Sequence, residues 1–267
     1  QPLSFDAIDE YNISTANYDV TSKRVLGASI NIVTKSGTND YHGSVYYAYT
    51  NAKDLTGKGK TDSTFTGYSQ KYTEGVTFSG PIVKDKLFFF ADVEKQKTVA
   101  PAPSYGPIGS GASNIVPVTQ DQINQIISIA QGYGINAGGL TADSVNQTDA
   151  RALVKLDWNI NDSHRLSLRV NQDNGQTPVI QGNSVGSRPS LGLSSYWYNQ
   201  HQNLRQYVLN AYDDWSDKFS TEESISYAKY HSTPTVLAPA PMIQVYTDPS
   251  APGKTDGPSV FLGEDQY

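Results

Sequence analysis

The stretch Gly27-Ala28-Ser29-Ile30-Asn31-Ile32-Val33-Thr34-Lys35-Ser36-Gly37-Thr38-Asn39, followed after Asp40 by Tyr41-His42-Gly43-Ser44-Val45-Tyr46-Tyr47, decides how the chain is read. Ile30, Ile32, Val33 and Thr34 are β-branched, which suits a pleated and partly buried strand. Lys35 to Asn39 is polar and contains Gly37, the chemistry of a tight turn. A tyrosine-rich strand begins directly after it. The stretch therefore reads as strand, turn, strand.

The same plan repeats downstream with clearer alternation. Ala152, Val154, Leu156, Trp158 and Ile160 are apolar, while Arg151, Lys155, Asp157 and Asn159 take alternate places. Neighbours in a strand point to opposite faces, so one face is apolar and the other polar. Asn161-Asp162-Ser163-His164 turns the chain, and Leu166, Leu168 and Val170 return against Arg165, Ser167, Arg169 and Asn171. A second hairpin joins 72–81 through Val83-Lys84-Asp85-Lys86 to a strand with Leu87, Phe89, Ala91 and Val93 on one face and Phe88, Phe90, Asp92 and Glu94 on the other. A third carries Tyr207, Leu209, Ala211 and Trp215, turns at Asp217-Lys218-Phe219 and comes back through Glu223–Tyr230. Strands of about 9–11 residues match a tilted crossing of a bilayer.

Alternation by itself does not separate a barrel from a soluble sandwich; the connections favour the barrel. Short turns near 84, 162 and 218 alternate with long connections at 50–70, 97–149, 173–204 and 232–267, rich in Gly, Pro, Ser and Asn. Membrane barrels keep short turns on one rim and long loops on the other. Trp158, Trp215 and Phe219 stand near the short turns, where an interfacial aromatic girdle would sit. In the second long connection, Thr119-Gln120-Asp121-Gln122 is a capping box. Ile123, Ile126, Ile127 and Ala130 follow at helical spacing, and Gly132 and Gly134 close the run. This predicts a short amphipathic helix in a loop, with a ligand-responsive lid as the sharper reading.

Bulk composition agrees. Of 267 residues, 37% are hydrophobic, and there are 18 tyrosines against one methionine. That is lean for a compact soluble core and natural for a barrel whose alternate residues face a polar interior. Cysteine is absent, which excludes disulfides and thiolate metal sites. A net charge of -6 argues against nucleic acid as a partner. No apolar run is long enough for a membrane-spanning helix, and no signal peptide opens the chain, so an envelope protein would begin upstream.

Motifs for chemistry fail on context. Gly182-Asn183-Ser184-Val185-Gly186 has the spacing of a nucleophile elbow, but Arg188 and Pro189 follow where a helix is required, so a flexible surface loop is expected. Gly57-Lys58-Gly59-Lys60-Thr61 lacks the first glycine of a phosphate loop, and Gly106 to Gly111 lacks the βαβ setting of a dinucleotide site. His42, His164, His201 and His231 show no ligand spacing. Asp213-Asp214 and Glu222-Glu223 point to opposite faces as strand neighbours. We find no catalytic constellation, cofactor motif or metal site, and no enzyme is expected. Tyr196-Trp197-Tyr198 in a long loop is the candidate for ligand contact, since aromatics dominate recognition surfaces; packing of the loop base is the alternative.

The opening stretch also resembles a known junction. TonB-dependent outer-membrane receptors carry a "GG-V-I-N-I-x-T-K" phrase in the last strand of their plug, just before the barrel; Ala28 replaces the second glycine here. Ile8-Asp9-Glu10-Tyr11-Asn12-Ile13 stands where that family has an "I-E-x-I-x-V" strand, and Lys35 to Asn39 with His42-Gly43-Ser44 is similar to the Oar-like branch. The resemblance implies an all-β chain: the end of a plug domain at 1–37, then about seven strands of a larger transmembrane β-barrel at 38–267. Ile30, Ile32, Thr34 and Lys35 would form a plug strand. Asp92, Lys155, Asp157 and Arg169 would face the lumen and hold the plug by hydrogen bonds and ion pairs. The implied protein sits in the outer membrane of a Gram-negative bacterium, contacts outer-membrane lipid, binds an extracellular ligand (a peptide or protein rather than a siderophore), and is driven by a TonB-type complex acting on a segment upstream. An adhesion or structural barrel without active transport and a secreted carbohydrate-binding module are the rival expectations.

Overall fold

A computed structural model of the chain describes residues 3–14, 29–54, 67–140, 144–248 and 257–264. Gly27, Ala28 and the 57–61 turn lie outside the described residues. Two short strands come first, β1 (Ile8–Ser14) and β2 (Ser29–Thr34), paired antiparallel as a ribbon. Seven long strands follow: β3 (His42–Asn51), β4 (Gln70–Val83), β5 (Leu87–Pro101), β8 (Ser144–Asn161), β9 (His164–Val179), β11 (Tyr198–Ser216) and β12 (Phe219–Val236). They form one antiparallel sheet, each strand beside its predecessor, with β3 and β12 at the two edges. The barrel is not closed over these residues. The remaining elements lie in the long connections: β6 (Tyr105–Gly106), β7 (Asn114–Ile115), α1 (Gln120–Gly132), β10 (Ser190–Gly192), β13 (Ile243–Tyr246) and β14 (Ser259–Leu262).

The short turns fall where the sequence puts them. Asp85 takes the left-handed conformation at φ 63° that its turn requires, and Asn161 accepts from the Ser163 amide in an Asx turn at 2.9 Å. Each of the three hairpins also carries a register shift beside its short turn, at Pro81/Val83, Asn159/Asn161 and Asp214/Ser216. Such bulges bend a strand and raise its twist, so the curvature devices gather on one rim.

The strands are longer than expected. β5 has 15 residues, β8 18 and β11 19, where a crossing needs about 9–11. Consequently the long strands run into the connections at 97–149, 173–204 and 232–267, to Pro101 and from Ser144, to Val179 and from Tyr198, and to Val236. The physical reason lies in the outward rows: they are apolar from Leu87 to Val93 but charged beyond, where Glu74 pairs Lys95 and Arg205 pairs Lys229. The apolar band has the length of a crossing, while the hydrogen-bond ladder, indifferent to side-chain polarity, runs on past it.

The largest apolar core lies in the connections, not in the sheet. Val116, Val118, Ile123, Ile126, Ala130, Ala137, Leu191, Leu193, Val260 and Leu262 form one buried cluster drawn from three separate connections. A parallel pairing of β10 with β14 ties two of them together, and an antiparallel pairing of β13 with β14 folds the last one on itself. The third is joined by Gln122 Nε2, which donates to the Thr247 carbonyl (2.9 Å), and by Ser194, whose amide donates to the Gly139 carbonyl (2.8 Å). The helix has its capping box, Thr119 with Gln122. What the sequence presents as loops is a folded cap.

Candidate functional site

Register sorts the long strands into two unlike faces. Across one face, Phe89, Leu156, Leu168, Leu209 and Ile225 stand side by side on five successive strands, and Phe78, Ala91, Val154, Val170, Tyr207 and Tyr227 make the next row. These side chains are open to the surroundings: Val45 on the same face is 85% exposed and Ile225 69%. Trp158, Trp215 and Phe219 are exposed as well, close to the short turns. A contiguous apolar surface of this extent is untenable in water and natural against lipid.

The opposite face is polar and carries the ribbon. Its rows run Ser44, Thr77, Asp92, Leu153, Asn171 and, one step away, Glu94, Arg151, Asp173. Leu3, Ala7, Ile8 and Ile32 of the N-terminal segment pack on Phe90 and Leu153 of the wall, which leaves Leu153 only 2% exposed. Polarity is thus inverted relative to a soluble sandwich: the polar face is covered and the apolar face open.

Polar bonds fasten the ribbon to this wall. Lys155 Nζ donates to Ser36 Oγ (2.7 Å) and to the Thr34 carbonyl (3.4 Å), with Asp157 3.6 Å away. Lys35 Nζ donates to Asp6 (3.0 Å), and Asp6 also accepts from Ser44 Oγ (2.5 Å) on β3. The Ser44 hydroxyl shares a further hydrogen bond with Thr77 (2.7 Å). These bonds, with the Ser44 donor foremost and the Lys35 ammonium behind it, hold the Asp6 carboxyl below its ordinary range despite partial desolvation. All four expected wall residues, Asp92, Lys155, Asp157 and Arg169, lie on this face. Lys155 touches the ribbon; Asp157 meets Lys155. Asp92 is 2% exposed. On the ribbon, Thr34 and Lys35 make the polar contacts, Ile32 packs on the wall, and Ile30 pairs with Ile13 through the backbone.

Sequence reasoning missed the centre of the wall. Arg151 reaches Glu94 at 2.6 Å, Asp149 at 3.7 Å and Asp173 at 3.9 Å, and Tyr46 OH donates to Glu94 at 2.8 Å across the strand between them. Gly75 makes that reach possible, because a Cβ there would collide with the Tyr46 ring. Period-two alternation put Arg151 on the polar face, but only strand order brings it to Glu94. Beside this cluster a cavity of about 680 Å³ opens between the N-terminal segment and the wall, bordered by Asp6, Tyr46, Lys71, Glu94, Gln96 and Arg151.

Tyr196-Trp197-Tyr198 sits at the base of the cap. Trp197 is 6% exposed, and its indole N–H donates to the Gly192 carbonyl (3.1 Å). The Tyr196 ring stacks on Phe261 (4.9 Å between centroids), and burial, then the nearby Glu264 carboxylate, pushes its phenol above the usual range. Tyr198 opens β11. Gly182 to Gly186 lies in an irregular connection in which Ser184 and Ser190 exchange backbone hydrogen bonds, and no α-helix follows where a nucleophile elbow would require one.

An apolar open face, a polar covered face and long antiparallel strands define an outer-membrane β-barrel protein. The family model of an outer membrane beta barrel domain matches residues 33–108. The chain is also similar to the TonB-dependent transporter Oar of Myxococcus xanthus, with 30% identity over 184 residues and 64% of this chain covered. It spans 16% of that protein's length. No solved structure matches the chain. The two matches support an Oar-like TonB-dependent outer-membrane protein, located in the outer membrane of a Gram-negative bacterium.

Proposed function

We propose that this chain is the plug end (1–37) and the first wall strands (38–267) of a transporter that takes an extracellular ligand through a plugged barrel. The observation that carries the reading is the β1–β2 ribbon seated on the polar face, fastened by Lys155 to Ser36 and by Asp6 to Ser44. A ribbon held by a few hydrogen bonds beside open clefts can be released by a modest pull, because each such bond contributes only about 1 kcal/mol net. A TonB-type complex acting upstream would supply that pull. The ligand, a peptide or protein, would meet the cap, with Tyr196 and Tyr198 as contacts and Trp197 as their buried support. No catalytic role is assigned.

The experiment is uptake in membranes with and without a proton-motive force, for wild type and for the Lys155→Ala, Asp157→Ala double variant, with heat-shifting gel mobility as the folding control. Loss of energised uptake with normal mobility supports the reading; unchanged uptake rejects the role of these residues. The folded cap favours a second reading, an outer-membrane adhesion or structural barrel without active transport, which the absence of energised uptake in the wild type would support.

A further inference from the structure

Gly37 to Tyr41, which lead from the ribbon into the wall, are built unlike the ribbon itself. Gly37 lies directly on the wall: a Cβ there would stand 2.8 Å from the Gly80 carbonyl oxygen and closer still to that of Phe89, both backbone atoms that cannot yield. Asn39 and Asp85 clasp each other reciprocally, Asn39 Nδ2 donating to Asp85 Oδ1 (2.6 Å) and the Asp85 amide donating to Asn39 Oδ1 (2.8 Å). The turn holding Asp85 is itself pinned to β8, since the Asn159 amide donates to the Lys86 carbonyl (2.7 Å). Tyr41 fills the space that Gly80 leaves, donates its hydroxyl to the Pro81 carbonyl (3.1 Å) and stacks on Phe78 at 5.9 Å. Upstream the attachment is of another kind. One small apolar cluster and a few side-chain bonds hold the ribbon, bordering a cavity of about 540 Å³ that runs along Val33 to Thr38. Within the ribbon the backbone ladder runs from Ser14–Ser29 to Ile8–Thr34 with one register shift between Ile8 and Glu10, and it ends with the Lys35 amide donating to the Ala7 carbonyl.

We infer that Gly37 to Tyr41 is a fixed stop: a force on the plug releases the ribbon as one piece up to Ser36 and halts at Gly37, so that the first wall strand is never peeled. Gly37 and Asn39 are positioning residues for that movement. The inference rests on the plug reading of 1–37 given above, but its test needs neither ligand nor transport. The full-length protein in membrane patches is pulled from its plug end by force spectroscopy, and the residue at which extension halts is counted from contour length. The halt is expected at residue 37. Lys155→Met lowers the force at which the ribbon departs and leaves the halt in place, whereas Asn39→Ala loses it and extension runs on into β3. Should Gly37→Ala fail to fold, shown by a missing heat shift, the exposed Asn39→Ala variant carries the test. A wild-type halt elsewhere, or one unmoved in Asn39→Ala, overturns the stop. Failed energised uptake with the halt at residue 37 would instead remove the transport reading and keep the stop.

Discussion

Arg151 shows how much one residue decides. Its guanidinium and the Glu94 carboxylate are both nearly sequestered from solvent, so Glu94 without Arg151 would be a buried carboxylate that has lost its cation. Removing one partner of such a pair typically costs about 3–5 kcal/mol. We expect Arg151→Ala to lower the urea midpoint of the gel heat shift accordingly, and Arg151→Met with Glu94→Gln to recover part of the loss. Asp6 supplies a pH signature. Its carboxyl is held low chiefly by the Ser44 hydroxyl and then by Lys35, so folding favours its ionised form. A depressed carboxylate contributes stability that is present above the ordinary aspartate range and lost as pH falls through the lower folded value. Hydrogen exchange of β1 and β2 should therefore stay slow at neutral pH and rise only below the ordinary aspartate range. In Asp6→Asn the acid step should vanish.

At the scale of the element, each long strand satisfies two environments at once. On β9, Leu168 is 39% exposed on the open face, while Asn171 on the other face is buried against the wall's neighbours. A charge on the lipid side costs about 2–4 kcal/mol near the bilayer midplane and far less on the inner side. Leu168→Arg should thus reduce the yield of heat-shifting barrel by that order, while Gln206→Arg, on the covered face of β11, should leave it nearly intact. Urea titration of both variants in detergent checks the contrast. The alternation that predicts this was legible in residues 150–171. The lengths were not, because apolar pattern marks where lipid ends and the backbone ladder does not stop there.

For the whole molecule, the cap is the main departure from expectation. Its core joins Val116 and Ile126, Leu191 and Leu193, and Val260 and Leu262 from three connections. The three segments should therefore open together. Leu191→Asp is expected to raise hydrogen exchange in 105–140, 182–196 and 243–262 at once, with the heat shift preserved; exchange confined to 182–196 would mean separate loops. The capping box of α1 was readable, and so were the isoleucines that become its buried stripe. That Ile123 and Ile126 share one core with residues from the other two connections was not, since nothing local in those sequences names a partner.

By itself the sequence determined the strands, the short turns, the helix and the two faces of the wall, because turn chemistry and period-two polarity are local properties of neighbouring residues. The β-branched run from Ile30 to Thr34 marked a strand on the same grounds; its place at the end of a plug is what the family resemblance implies. Tertiary structure alone decided which polar residues meet, as Glu94 with Arg151 and Lys155 with Ser36, and that three connections share one core. Those contacts join residues dozens of positions apart, and their distances are set by strand order, register and bulges rather than by any neighbour in the chain.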